Sequence, residues 1–205
     1  MNSKGECQVL CRNIGLINSI GRILLGGDPA HGWPHVERVR RLAWEIVSLE
    51  GLEDKIDQCI LEVSIALHDV GRSSSSNTHH AVESARIAVK LLEALGAPSS
   101  CVKAVEHAIL AHSYSLGVKA ETLEARVLSD ADKLDALGAI GIARVFHTGC
   151  RLGRGFGDSV KHFHDKILRL PGTMYLDASR KIAAERLRII EDFLREWSRE
   201  LDSGP

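Results

Sequence analysis

The chain reads as an all-α, single-domain helical bundle, and three features of its 205 residues predict this. Apolar residues recur at helical spacing along most of the sequence, so nearly every segment can offer one face to a core. Alternating Val/Ile/Thr/Tyr runs are few, and neither Asn-Gly nor Asp-Gly occurs, so hairpins have no signal. Glycine and proline fall between the periodic stretches, where they stop helices rather than break them.

The elements follow in order. A first helix runs from about Lys4 to Leu25 and is ended by Gly26-Gly27. A second runs from Pro34, a first-turn proline, to Leu49, with Gly51 beyond it. A third covers Glu53 to Asp69 and stops at Gly71. A polar loop with four consecutive serines, Arg72 to Thr78, reads as mobile. A fourth helix covers His79 to Leu95, a fifth Ser99 to Ser113, and a sixth Thr122 to Leu137. Ala139 to Phe146 is a short seventh. Arg151 to Asp158 is a glycine-rich loop, and Val160 to Leu168 is helical up to Pro171-Gly172. The last helix spans Leu176 to Leu201, with Ala183, Leu187, Ile190 and Leu194 on one face. No internal repeat or domain boundary appears, and the length suits a single core.

Composition narrows the function. A net charge of -1 gives no global electrostatic case for nucleic acid or an anionic membrane. Aromatics at 4% argue against base-stacking platforms. No apolar run reaches bilayer length and the N-terminus has no signal-peptide core. The five cysteines are odd in number, and Cys7 and Cys11 are four apart, so they form no C-x-x-C pair. Free thiols in a reducing compartment, and hence the cytoplasm, are the expectation.

The polar residues on apolar stripes carry the chemistry. On the second helix His35 aligns with Val39, Leu42, Ala43 and Ile46. On the third, His68 aligns with Ile56, Ile60 and Ser64, and Asp69 ends the helix. On the fourth, His80 faces inward, while His79 and Glu83 face water. On the fifth, His107 and His112 both fit inward positions. On the sixth, periodicity cannot choose between Asp130 and Asp132. His31 lies in a loop, and His147, His162 and His164 read as surface residues. A lone buried histidine is more often a hydrogen-bonded core residue than a ligand. Two imidazoles and two or more carboxylates turned to one core are another matter. Buried without partners they cost kilocalories each, and a first-row divalent metal suits such a mixed N/O set.

At these residues the chain resembles the HD superfamily of metal-dependent phosphohydrolases. The resemblance lies in a His (His-Gly-Trp-Pro-His35-Val), a His-Asp pair (Ala-Leu-His68-Asp69-Val-Gly) and a distant Asp (Asp-Ala-Asp132-Lys-Leu-Asp). His79-His80-Ala-Val-Glu-Ser-Ala, His112-Ser113 and the run from Asp130 to Arg144 look like one bacterial and archaeal branch, some of whose members act on deoxynucleoside triphosphates. The likeness is close over Ala30 to Phe146 and loose over the C-terminal helices, 158–201, which should pack on that core.

The resemblance implies an all-helical fold and His35, His68, Asp69 and Asp132 as metal ligands, with Asp69 catalytic. It favours Asp132, which follows Ala and precedes a basic residue. Mn, Mg, Co, Ni, Fe and Zn all suit the ligand types, and hydrolysis of a nucleotide by metal-activated water needs no organic cofactor. Arg72, Lys133 and Arg144 are candidates to touch phosphate, and Glu83 or Asp135 to relay protons. His80 and His112 fall where two-metal members hold a second ion, and otherwise serve substrate or ligand orientation. The Gly-Tyr-Pro signature of cyclic-dinucleotide phosphodiesterases is missing. A di-iron oxygenase on the same scaffold and a non-catalytic nucleotide or metal sensor are the competing readings. The expected partner is a small phosphorylated molecule, without nucleic acid or membrane. The first and last helices can pack internally or form a homodimer.

Overall fold

The computed structural model describes residues 5–73 and 78–202, which form helices and turns with no strand among the described residues. The helices are α1 (Gln8–Arg12), α2 (Ile14–Leu25), α3 (Trp33–Glu50), α4 (Gln58–Leu67), α5 (His80–Ala94) and α6 (Ser99–His112), followed by α7 (Leu123–Asp135), α8 (Gly138–Arg151), α9 (Phe156–Asp165) and α10 (Asp177–Asp202). Two 3-10 turns, Val70–Ser73 and Ile167–Thr173, complete the path.

Side-chain capping explains where these bounds depart from the periodic reading. The expected first helix breaks at Asn13, whose Nδ2 donates to Val9 O at 2.8 Å and competes with the backbone ladder. The third helix starts at Gln58, because Asp57 accepts from the N–H groups of Cys59 and Ile60. The seventh runs on to Arg151, and α9 begins inside the expected glycine-rich loop. The serine run lies outside the described residues from Ser74 to Ser76.

α4 is the axis of the bundle. It is apolar on nearly every side, and a helix of that kind goes to the centre. Cys59, Ile60, Leu61, Val63, Ile65, Ala66 and Leu67 are all buried. α1, α2, α3, α5, α6 and α7 pack against it. Glu62 is its one charged residue, and accepts from Arg40 Nε at 2.8 Å and from Trp44 Nε1. α10 lies across α3, α7 and α8, with Ala183 and Ile190 buried and Leu187 and Leu194 half-buried. No helix among the described residues is long and apolar enough to cross a membrane.

The expectation of free thiols is overturned. Cys7 is bonded to Cys101 and Cys11 to Cys59, leaving Cys150 free and exposed. The i, i+4 spacing that excludes a C-x-x-C motif is also the spacing that puts two side chains on one helix face. That face of α1 meets α4 and α6. The inference from free thiols to the cytoplasm loses its premise.

Candidate metal centre

Four segments converge at one end of α4. α3 contributes His35 from its first turn, next to Pro34. The turn before it is tight: a Cβ on Gly32 would lie 2.5 Å from Asp28 N, so only glycine closes it. α4 ends at Leu67, and the chain passes through His68 and Asp69 into the first 3-10 turn. Gly71 presses that turn against the start of α5, where a Cβ would meet His80 O at 2.4 Å and Ser84 N at 2.5 Å. Its N–H donates to Ser84 Oγ at 2.8 Å. A side chain at Gly71 would push Asp69 away from the site. α6 contributes His112 from its last turn, and α7 contributes Asp132.

The ligand atoms face one another. His35 Nε2 lies 3.1 Å from His68 Nε2, 3.3 Å from Asp132 Oδ1 and 3.7 Å from Asp69 Oδ2. His68 Nε2 is 3.8 Å from Asp69 Oδ2 and 4.0 Å from Asp132 Oδ1. Two ligands each about 2.1 Å from one ion and at right angles to each other are about 3 Å apart, which these spacings approach.

The other ring nitrogens fix the tautomers. His35 Nδ1 meets Asp135 Oδ2 at 2.7 Å, His68 Nδ1 meets Ile65 O at 2.8 Å, and His112 Nδ1 meets Ile109 O. Each of these oxygens is an acceptor, so each neutral ring carries its proton on Nδ1 and turns the Nε2 lone pair inward. The two Nε2 atoms, 3.1 Å apart beside two carboxylates, form a group that a proton or a cation can bridge. Asp69 Oδ1 is buried with no hydrogen-bond partner among the described residues. His80 Nε2 and His112 Nε2 lie 3.6 and 3.8 Å from it. One group whose donor atoms all lie within 4.8 Å of one another, His35, His68 and Asp132, could hold a metal ion. A second group, His68, Asp69 and His112, adjoins it.

The electrostatics agree. Burial pushes the Asp69 carboxyl up, but Arg72 and the neighbouring histidines outweigh it and hold the group far below the usual range. Burial acts the same way on Asp132, where the His35 hydrogen bond and the nearby imidazoles hold it well below. Burial lowers His68 to about 4. Burial, then Arg72, lowers His80 to about 3, so both rings are neutral near pH 7, and the His80 Nε2 lone pair accepts from Arg72 Nη2 at 3.1 Å. His35 is raised: burial and Arg144 disfavour its charge, but its hydrogen bonds to the Asp132 and Asp135 carboxylates win. Asp132 is the open side of the group, with 25% of its side chain exposed to the adjoining cleft.

The other candidates divide. Asp130 points away and accepts from Tyr175 N and Leu176 N at 2.9–3.0 Å, just before α10. Asp135 accepts from His35, from Arg38 Nε and Nη2, and from Arg144 Nη1, and these contacts hold its carboxyl low against burial. It orients His35. Glu83, expected to face water, is buried and ion-paired to Arg86. Lys133, which also lines the cleft, donates to Thr173 O at 3.0 Å and lies over the Tyr175 ring, so its charge faces the segment before α10. Arg72 Nε reaches Asp69 Oδ2 at 2.6 Å. His107 is half-buried on the far side and accepts from Glu121 N.

The cleft beside Asp132, about 130 Å³, is lined by Arg72, His80, Lys133 and Arg144 and also by residues that periodicity did not single out. His31 comes from the loop before α3, while Arg154, His162 and Lys166 come from the C-terminal segment. His162 is therefore not a plain surface residue. A basic and histidine-rich stretch between Gly153 and Ile167 was the one signal available in the sequence.

Comparison with known proteins gives a consistent result. The HD domain family model matches residues 33–137, the interval that holds every ligand atom described above. The "uncharacterized protein YpgQ" of Bacillus subtilis (strain 168) is 32% identical over 191 residues, spanning 87% of this chain and 88% of its own. The crystal structure of Bacillus subtilis YpgQ in complex with ADP covers 94% of this chain and 96% of that one, with a TM-score of 0.74 and 27% identity. An HD-superfamily hydrolase from Bacillus thuringiensis covers 95% and 100%, with a TM-score of 0.69 and 28% identity.

Proposed function

This chain belongs to the HD domain family, and on that premise we propose that it is a divalent-metal-dependent phosphohydrolase acting on nucleotides. The observation that carries this is the convergence of the His35 and His68 Nε2 lone pairs with the Asp69 and Asp132 carboxylates at the mouth of a cationic cleft. The YpgQ structure holding ADP supports a nucleotide as the substrate class.

His35, His68, Asp69 and Asp132 would hold the cation. When bound, it lowers the pKa of a water and neutralises phosphoryl charge. Asp135 orients His35, and the Ile65 carbonyl orients His68. Asp69 keeps Oδ1, which has no donor, for a water proton or for a second ion between His80 and His112. Arg72 and Arg144 each use part of the guanidinium fork on a carboxylate and keep N–H groups for phosphate oxygens. The buried flank around His68 keeps bulk water away from these charges, which strengthens them.

The test is phosphate and pyrophosphate release from a nucleotide panel with Mn, Mg, Co or Ni, comparing wild type with Asp69→Ala. Metal-dependent release that falls at least about a hundredfold in the variant supports the reading, since even outer partners of metal ligands cost up to that much. A firmly bound metal with no release from any nucleotide sinks it, and brings the oxygenase or sensor forward.

A further inference from the structure

The metal centre occupies one end of α4 and α6, and four cysteines gather at the other. The rings of His68 and His112, at the C-terminal ends of the two helices, have centroids 5.0 Å apart, and α4 packs against α6. Cys59 and Cys101 lie in the first turns of the same helices, about 15 Å away at about 1.5 Å per residue. α1 bridges those two ends. Cys7 at its N-cap and Cys11 in its last turn reach Cys101 and Cys59, with Cα separations of 5.7 and 5.0 Å. Side chains four residues apart on a helix start about 5–6 Å from each other, so the two sulfur pairs sit one turn apart on one face of α1. Cys7 and Cys11 precede the residues that the family model matches.

This frame suits a cation once the sulfurs are reduced. Cys7 and Cys11 have three residues between them, within the two to four that separate paired thiolate ligands of structural zinc. Two ligands four apart on one helix face also form a chelating pair. Zinc about 2.3 Å from four sulfurs in a tetrahedron sets them about 3.8 Å from one another, a spacing within reach of χ1 rotations from these positions. Leu10, between the two cysteines of α1, is buried in the core and helps to keep the helix seated. Cys7, Cys59 and Cys101 are buried, and the half-buried Cys11 gives the way in. The N-terminal ends of α4 and α6 favour negative charge beside Cys59 and Cys101. Asp57 already caps α4, but no side chain caps α6.

We propose that Cys7, Cys11, Cys59 and Cys101 form a tetrathiolate zinc site in the reduced protein. α1 is then fastened to α4 and α6 by disulfides under oxidising conditions and by a metal ion under reducing ones. The site is separate from the His-Asp centre and does not depend on the phosphohydrolase reading. Opening the bonds requires a dithiol. Each disulfide takes two electrons and two protons from it and becomes two thiols, while the dithiol closes to its own disulfide. Zinc then displaces the four thiol protons to solvent, with no change of oxidation state.

Cobalt(II) is the probe, because thiolate ligands give it an intense near-ultraviolet charge-transfer band that nitrogen and oxygen ligands do not. The full chain is reduced with a dithiol, stripped with EDTA, desalted under nitrogen and titrated with cobalt, then with zinc. The band should grow to one thiolate-bound cobalt per chain, zinc should bleach it, and the oxidised protein should show none. Cys11→Ser should weaken zinc at that site at least about a hundredfold, more than the loss of an outer partner costs. Cys150→Ser should leave the band unchanged, since Cys150 is exposed and outside the group. Should the Cys11 variant fold poorly, alkylation of the reduced wild type decides: zinc should protect four thiols and leave Cys150 labelled. No thiolate band in the reduced wild type, a band of full intensity in Cys11→Ser, a band lost in Cys150→Ser, or equal labelling of all five cysteines with and without zinc overturns the site.

Discussion

Asp130 and Asp132 lie two residues apart on α7 and face opposite ways. Asp132 opens to the cleft beside His35, while Asp130 accepts the first N–H groups of the segment leading into α10. Asp132→Asn should lower manganese affinity at least about a hundredfold with the fold intact, by calorimetry and circular dichroism. Asp130→Ala should leave manganese affinity nearly unchanged and cost about 1–3 kcal/mol in denaturant unfolding, because it strands buried N–H groups. Swapped phenotypes would reassign the ligand. Asp135 belongs at this scale too. Its partner His35 is 100 residues away in sequence, and Asp135→Asn should cost about 10–100-fold in metal affinity through loss of His35 orientation alone. Unchanged affinity would remove that positioning part.

At the scale of elements, α1 is short and its attachment is covalent. Its two bonds run to α6, which ends in His112, and to α4, which ends at the His68-Asp69 pair. Reduction, or Cys7→Ser with Cys11→Ser, should destabilise the fold by about 2–4 kcal/mol per bond lost, read as a lower Tm. An unchanged Tm on reduction would show that packing alone seats α1. The loop before α3 is held differently. Asp28 Oδ1 accepts from Ala30 N and His31 N, and Oδ2 meets His147 and Arg151 of α8. Burial pushes the Asp28 carboxyl up, but these donors outweigh it and hold it well below the usual range. A depressed carboxyl stabilises the fold above its unfolded pKa of about 3.9 and loses that contribution as pH falls below it. Tm against pH should therefore drop more steeply below about pH 4 in wild type than in Asp28→Asn. Parallel curves would show that the loop is not held by this charge.

For the whole molecule, the ligand cluster places two imidazoles and two carboxylates at the end of the central helix, where a cation would join them. Saturating manganese should raise Tm. A hundredfold excess over Kd contributes about 2.7 kcal/mol, or roughly 5–10 °C for a chain of this size, reversed by EDTA and absent in Asp132→Asn. No shift would argue that the cluster holds no ion. The helical class, the element order and the inward set His35, His68 and His112 were legible in the sequence, because a 3.6-residue period and nearby caps are local properties of the chain. Periodicity says which face a residue occupies, not which neighbour that face meets. So the cysteine partners, the contact of Asp130 with the segment before α10, the contact of Asp135 with His35, and the return of Arg154, His162 and Lys166 to the cleft were decided only by the tertiary structure, since each depends on a distance between segments far apart in the chain.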